Sequence, residues 1–189
     1  MRLVTKNFLD SLTPNKTIRG LTWLPEGSHV DIFILNLDEG GQFDVEPTLL
    51  TSAHVFPVMG TRRDKIALTN HTIRGLQIPG GRVEKGESGV HCARRELREE
   101  TGITLKDDAH LTLVAVARIF SGGTSNDRYP HPYSLMAFFH CTPDYDDIGD
   151  LSAPSTECRG MSILDVEYVL DIPSIGDVEK TMLNHMFQL

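Results

Sequence analysis

The chain has 189 residues, a formal net charge of −8, 40% hydrophobic and 23% charged residues. That length suits one domain with a core large enough to stand without staples. The acidic balance argues against broad contact with a nucleic-acid backbone or duplex, and no stretch approaches the roughly 18 apolar residues of a membrane helix.

Cys92, Cys141 and Cys158 are odd in number and widely spaced. They make no paired zinc pattern, so reduced thiols in a cytoplasmic protein are expected. Cys92 reads as a buried apolar residue rather than a nucleophile. The opening residues lack a continuous apolar run, so no secretory leader is expected.

Residues 1–47 are expected to form an N-terminal extension or arm, of a kind that suits pairing into a homodimer. Within it Val30 to Leu35 is a strand candidate, and Asp38-Glu39-Gly40-Gly41 is a turn. A second unit is expected from 48 to 189. Leu49 to Met59 reads as an apolar strand, Gly60 to Asp64 as a turn and Lys65 to Asn70 as a returning strand. In Ile78-Pro79-Gly80-Gly81 the proline fixes φ, and the glycines let the backbone come close to a ligand.

The spacing predicts a helix from Ser88 to Thr101. Ser88 suits an N-cap, and Gly102 suits the C′ position. Val90, Ala93 and Leu97 form the buried stripe. Glu96, Glu99 and Glu100 stand at i, i+3 and i+4 and share an adjoining face. Three like charges there repel unless a hard cation neutralises them, and an all-oxygen site suits Mg²⁺ or Mn²⁺. The competing reading is a solvated face with pairs such as Arg95–Glu99. Glu87 reads as a first-turn glutamate favoured by the helix dipole, or as a structural partner.

Further on, Leu111 to Phe120 and Tyr133 to Cys141 are predicted strands. They flank a long polar loop from Ser121 to Pro132, a length that is usually functional. Asp144 to Asp147 reads as a solvated acidic turn. Ser162-x-x-Asp165 is expected to cap a short helix through Leu170. Ile175, Val178, Met182, Met186 and Leu189 predict an amphipathic C-terminal helix against the sheet.

Gly81, Glu87, Arg95-Glu96-Leu97, Glu99-Glu100 and Gly102-Ile103 stand in the order and spacing of a Nudix box. On these residues the chain resembles the Nudix family over about residues 48–172. The resemblance implies an α/β fold, the α/β/α sandwich around a mixed β-sheet. It implies that Glu96, Glu99 and Glu100 are the metal carboxylates, that a loop carbonyl adds a ligand, and that Arg95 orients a glutamate. One of the three glutamates would double as the base, or Glu157, outside the box, would orient the water. The implied reaction is hydrolysis of a nucleoside diphosphate linked to another group.

The Ser-Gln-Pro-Trp-Pro-Phe-Pro run of NADH-cleaving members is absent, and Leu68-Thr69-Asn70-His71 matches the coenzyme A pattern only in part. A proline does not stand shortly after the box, as it does in many ADP-ribose hydrolases, and Tyr129 lies beyond the tyrosine position of diadenosine polyphosphate hydrolases. The lead-in Arg74-Gly75-x-x-Ile78-Pro79-Gly80-Gly81 is similar to that of members cleaving nucleoside triphosphates. Arg74, Gly80, Gly81 and Phe120 are therefore the expected substrate contacts, with Tyr129 and His131 as further stacking candidates. An ADP-ribose or sugar-nucleotide pyrophosphatase is the alternative. A non-catalytic nucleotide-binding module conflicts with the full set of glutamates, and an isomerase of isopentenyl diphosphate would need motifs that are absent.

Overall fold

The structure is a computed structural model and describes residues 2–35, 43–106, 111–122, 133–149 and 157–189. In chain order the elements are β1 (Arg2–Val4), α1 (Lys6–Asp10), β2 (Lys16–Arg19), β3 (His29–Ile34), β4 (Phe43–Val45), β5 (Leu50–Met59), β6 (Lys65–His71), β7 (Gly75–Gln77) and β8 (Gly80–Arg82). The box helix α2 (Gly89–Thr101) follows, then β9 (Thr112–Phe120), β10 (Tyr133–Cys141), β11 (Cys158–Asp165), α3 (Val166–Leu170) and α4 (Asp177–Phe187).

Among the described residues the main sheet runs β11-β6-β5-β10-β9-β3-β2, with β7 on β6 and β8 on β5. The β5–β10 pair is parallel and the other pairs in this sheet are antiparallel, so the sheet is mixed. Strands β2 and β3 continue this sheet by pairing β3 with β9.

The two faces follow from the strand alternation. Val55 and Phe139 point to one side, where Val90, Ala93 and Leu97 of α2 cover them. Phe56 and Phe138 point to the other, under Val166 and Val169 of α3 and Val178, Met182 and Leu183 of α4. This is the expected sandwich of helices about a mixed sheet. Leu97 is fully buried at its centre, and truncation to alanine should cost about 2–5 kcal/mol.

Helix α2 starts and stops where its sequence says. The Ser88 side chain accepts the His91 amide at 3.2 Å, and Gly102 ends the helix at φ 75° with its N–H on the Arg98 carbonyl at 2.9 Å. A second anchor comes from far away in sequence. Asp44 in β4 is 1% exposed, and its carboxylate accepts the Val90 amide at 3.3 Å and the Val45 amide at 2.8 Å. A side chain on Gly89 would collide with that carboxylate.

Two local expectations are corrected. Ser162 does not cap α3: it lies inside β11, pairs with Leu68 in register, and hydrogen-bonds Asn70 at 3.2 Å. Asp165 takes the N-cap position instead, without a side-chain cap bond. Leu189 leaves the apolar stripe, because the chain turns left-handed at Gln188 and leaves Leu189 55% exposed. The expected turn at Asp38–Gly41, together with Tyr129, Pro130 and His131, lies outside the described residues. Among the described residues no helix is long and apolar enough to cross a membrane.

Candidate active site

Strand β8 pairs with the start of β5, placing Gly80 opposite His54 and Gly81 opposite Ala53. Both glycines are needed for close approach. A Cβ on Gly80 would lie 2.7 Å from the Ala53 carbonyl, and one on Gly81 would collide with the Glu96 carboxylate. The loop backbone therefore sits directly on the acidic face of α2.

Arg95 organises that face. Its Nε donates to Glu87 Oε1 at 2.9 Å, and its Nη2 donates to Glu87 Oε2 at 3.0 Å and to the Arg82 carbonyl at 3.0 Å. Its Nη1 donates to Glu96 Oε1 at 2.7 Å, with Glu99 Oε2 at 3.5 Å. Glu87 also accepts the Glu84 amide at 3.0 Å. The Arg95 bonds hold the Glu87 carboxyl below its ordinary range, and the Glu87 contact likewise raises Arg95. The guanidinium thus ties the turn before the helix to the middle of the helix.

Glu96 and Glu100 are the inward-facing carboxylates, and Glu99 stands half exposed. Glu100 is 8% exposed; its Oε2 accepts the Gly80 amide at 3.0 Å, and its Oε1 accepts the Cys158 thiol at 3.4 Å. Burial pushes the Glu100 carboxyl up to about 7, with the Glu96 charge adding to the rise. Burial likewise raises Glu96, against the lowering pull of Arg95. A buried, raised Glu100 beside a part-buried, raised Glu96 suits a hard divalent cation. Among the described residues no three His, Cys, Asp or Glu side chains converge into a closed ligand set. Glu96 is turned to Arg95 and Glu100 to the Gly80 amide.

A cavity opens beside Glu100, lined by His54, Arg74, Gln77, Gly80, Ser174 and Glu179 among others. It brings Arg74 and Gly80, two of the expected substrate contacts, together with Glu100. Arg74 is placed by His71, whose Nδ1 accepts the Ile73 and Arg74 amides at 3.1 Å each. Two donors on Nδ1 leave the ring proton on Nε2. That Nε2 faces Glu157 Oε2 at 3.7 Å, and the Glu157 side chain is 73% exposed. Its neighbour Cys158 is the residue that touches Glu100.

Phe120 is not brought to this cavity. Its ring stacks on His29 at 4.5 Å, tilts against Tyr133 at 5.8 Å, and carries the Arg118 guanidinium at 5.0 Å. Cys92 is fully buried, and burial pushes its thiol up to about 12, so it serves as a core residue. Sequence reasoning missed Asp44, Cys158 and Glu179. Only Glu179 carried a signal, as an acid in the first turn of a predicted helix.

A family model described as the Nudix domain matches residues 48–181. Among curated relatives, the chain is 35% identical over 74 residues to the NAD-capped RNA hydrolase NudC of Mycobacterium tuberculosis, covering 39% of this chain and 20% of the relative. It is 39% identical over 69 residues to YtkD of Bacillus subtilis, provisionally named an 8-oxo-dGTP diphosphatase, covering 36% of this chain and 43% of YtkD. Each match thus spans under half of the relative's own length. Among solved structures, the fold is similar to a mutant form of the pyrophosphohydrolase BsRppH of Bacillus subtilis, with a TM-score of 0.59 at 18% identity over 85% of this chain and 91% of that one. It is also similar to a C. elegans Ap4A hydrolase, with a TM-score of 0.52 at 17% identity over 72% of this chain and 96% of that one.

Proposed function

This chain belongs to the Nudix family, and from that premise we propose that it hydrolyses nucleoside diphosphates linked to a further group, with nucleoside triphosphates as the preferred class. The observation that carries the proposal is the inward-facing pair of buried Glu100 and part-buried Glu96, locked to the glycine loop by Arg95 and by the Gly80 amide. Such a pair has no structural need for its charge, since apolar residues would pack there at lower cost.

Mg²⁺ or Mn²⁺, held by Glu96, Glu99 and Glu100, would neutralise phosphate charge and lower the pKa of the attacking water. The chain's own residues supply the rest. Arg95 keeps Glu96 in one rotamer through its contacts with Glu87 and Glu96. Arg74 faces the cavity beside Glu100 and binds a phosphate oxygen. Glu157 orients the water, with its carboxylate 3.7 Å from the Nε2 of His71. The three cysteines are buried and form no disulfide, which suits a reducing cytoplasm.

A panel of nucleoside triphosphates, ADP-ribose, sugar nucleotides and dinucleoside polyphosphates, with phosphate release coupled to a pyrophosphatase, tests this reading. Turnover should require Mg²⁺ or Mn²⁺ and stop with EDTA. A triphosphate should give a monophosphate and pyrophosphate. Hydrolysis in ¹⁸O-water identifies the phosphorus attacked, and direct release of orthophosphate would defeat the proposal. Glu157→Gln should slow turnover with little change in apparent substrate affinity.

A further inference from the structure

The cavity beside Glu100 has a lining that a diphosphate alone does not explain. It measures about 50 Å³, room for one or two water-sized groups rather than a whole purine ring. Its donors are largely spent within the protein. Gln77 Nε2 donates to the Leu76 and Ser174 carbonyls at 3.0 and 2.7 Å, and Ser174 Oγ donates to the Leu76 carbonyl at 2.7 Å. His54 stacks on Phe138 at 5.1 Å, its Nε2 meets Ser52 Oγ at 3.3 Å, and burial lowers it to about 4, leaving the ring neutral.

Acceptors remain: the Gln77 amide oxygen, the lone pairs of Ser174 and the carboxyl of Glu179. The Glu179 carboxyl accepts its own backbone amide, which leaves further lone pairs on it for a ligand. Arg74 is the one cation in the wall, on the loop leading to the box. Away from Arg74, the side of the lining made by Gln77, Ser174 and Glu179 is rich in acceptors and poor in donors, and that side selects against phosphate and for O–H or N–H groups.

We propose that this cavity receives an uncharged hydrogen-bond-donor edge of the substrate's nucleoside half, and that Glu179 is the residue that reads it. The donor is a ribose hydroxyl or an exocyclic amino group of the base; the two share one chemistry. The inference rests on the diphosphate-hydrolase reading, and it adds which end of the substrate turns toward α4. Arg74 and Glu100 then mark the phosphate side of the cavity, and Glu179 the nucleoside side. Glu179 also stands in the first turn of α4, where an acid offsets the helix dipole. That role accounts for a glutamate in the turn, but not for the acceptors of Gln77 and Ser174 gathered at the same cavity.

The test is calorimetric binding in Mg²⁺ of AMP, GMP, their 2′-deoxy forms and IMP to the full chain. Wild type is compared with Glu179→Ala and Glu179→Gln, each checked for an unchanged thermal unfolding profile. Wild type should favour a donor-bearing ligand over its partner lacking that donor by about tenfold, the size of effect expected for one hydrogen bond. Glu179→Ala should remove that preference, weakening the donor-bearing ligand about tenfold and the other by less than about twofold. Glu179→Gln, which keeps one acceptor, should fall between. A gap between AMP or GMP and its deoxy form identifies the hydroxyl; a gap between AMP or GMP and IMP identifies the amino group. Equal weakening of all five ligands in Glu179→Ala, no preference in wild type, or no binding of any of them overturns the assignment. Failure of the hydrolase reading would appear separately, as absent triphosphate turnover with the Glu179-dependent binding preference intact.

Discussion

Replacing Glu87 by glutamine tests the clamp that holds the acidic face in place. Glu87 takes two bonds from Arg95, at 2.9 and 3.0 Å, and the two side chains are 14% and 20% exposed. An exposed pair is worth at most about 1 kcal/mol, and breaking a fully buried one costs about 3–5 kcal/mol. At this intermediate burial, with glutamine keeping one acceptor, the loss should be about 2 kcal/mol at pH 8. Its pH dependence has a definite sign. The folded-state pKa of Glu87 lies below its ordinary value of 4.5, so its stabilisation is present above 4.5 and is lost as the pH falls through the folded value. Urea unfolding in EDTA should therefore show a gap between wild type and Glu87→Gln at pH 8 that narrows below pH 4.5. A gap under about 0.5 kcal/mol at pH 8, or one that persists unchanged to the lowest pH at which both proteins fold, would refute the clamp.

Asp44→Ala should destabilise the protein by about 2 kcal/mol in urea unfolding, because it strips a buried carboxylate from the Val90 and Val45 amides; Asp44→Asn, which keeps an acceptor, should lose less. Glu100→Gln and Glu99→Gln should each cut turnover by several orders of magnitude while circular dichroism stays unchanged; retention of more than about a tenth of wild-type turnover, a barrier change under ~1.4 kcal/mol, would remove that residue from the metal set. In metal-free protein Glu100→Gln should also be no less stable than wild type at pH 8, since burial raises the Glu100 carboxyl from 4.5 to about 7 and the cost of its ionised form, which grows as the pH rises from 4.5, is fully present at pH 8. Urea unfolding in EDTA at pH 8 measures it, and a clear loss in the variant would contradict the buried-charge account.

The elements that were legible in the sequence are those fixed by neighbours in the chain. Ser88 and Gly102 bound α2 through bonds three and four residues long, and its Val90, Ala93 and Leu97 stripe turns to the core. The expectation at Ser162 failed for the opposite reason. The Ser-x-x-Asp spacing looks like a cap, but pairing along β6 holds Ser162 extended, and ladder bonds outweigh a local cap. Asp44 reaches Val90 across 46 residues, and Cys158 reaches Glu100 across 58. No local spacing encodes either contact. Phe120 was assigned to the site by residue type, yet an aromatic ring on a strand packs wherever that strand runs, here against His29 and Tyr133.

These distant contacts decide whether the local motif can act. The spacing of Glu96, Glu99 and Glu100 is guaranteed by any straight helix, but their position against the glycine loop is not. That position is fixed from several sides: Asp44 at the start of α2, Arg95 on the turn that carries Glu87, and the Gly80 amide with the Cys158 thiol at Glu100. A shift of α2 by even part of a turn would part Glu100 from Gly80 while leaving every residue of the motif intact, and misplacement of about 1 Å can cost about 10²-fold in rate. The strands before residue 48 and the segment from Cys158 onward therefore bear on the chemistry as directly as the motif does. Asp44→Ala should lower turnover as well as stability, although Asp44 contacts no residue of the cavity.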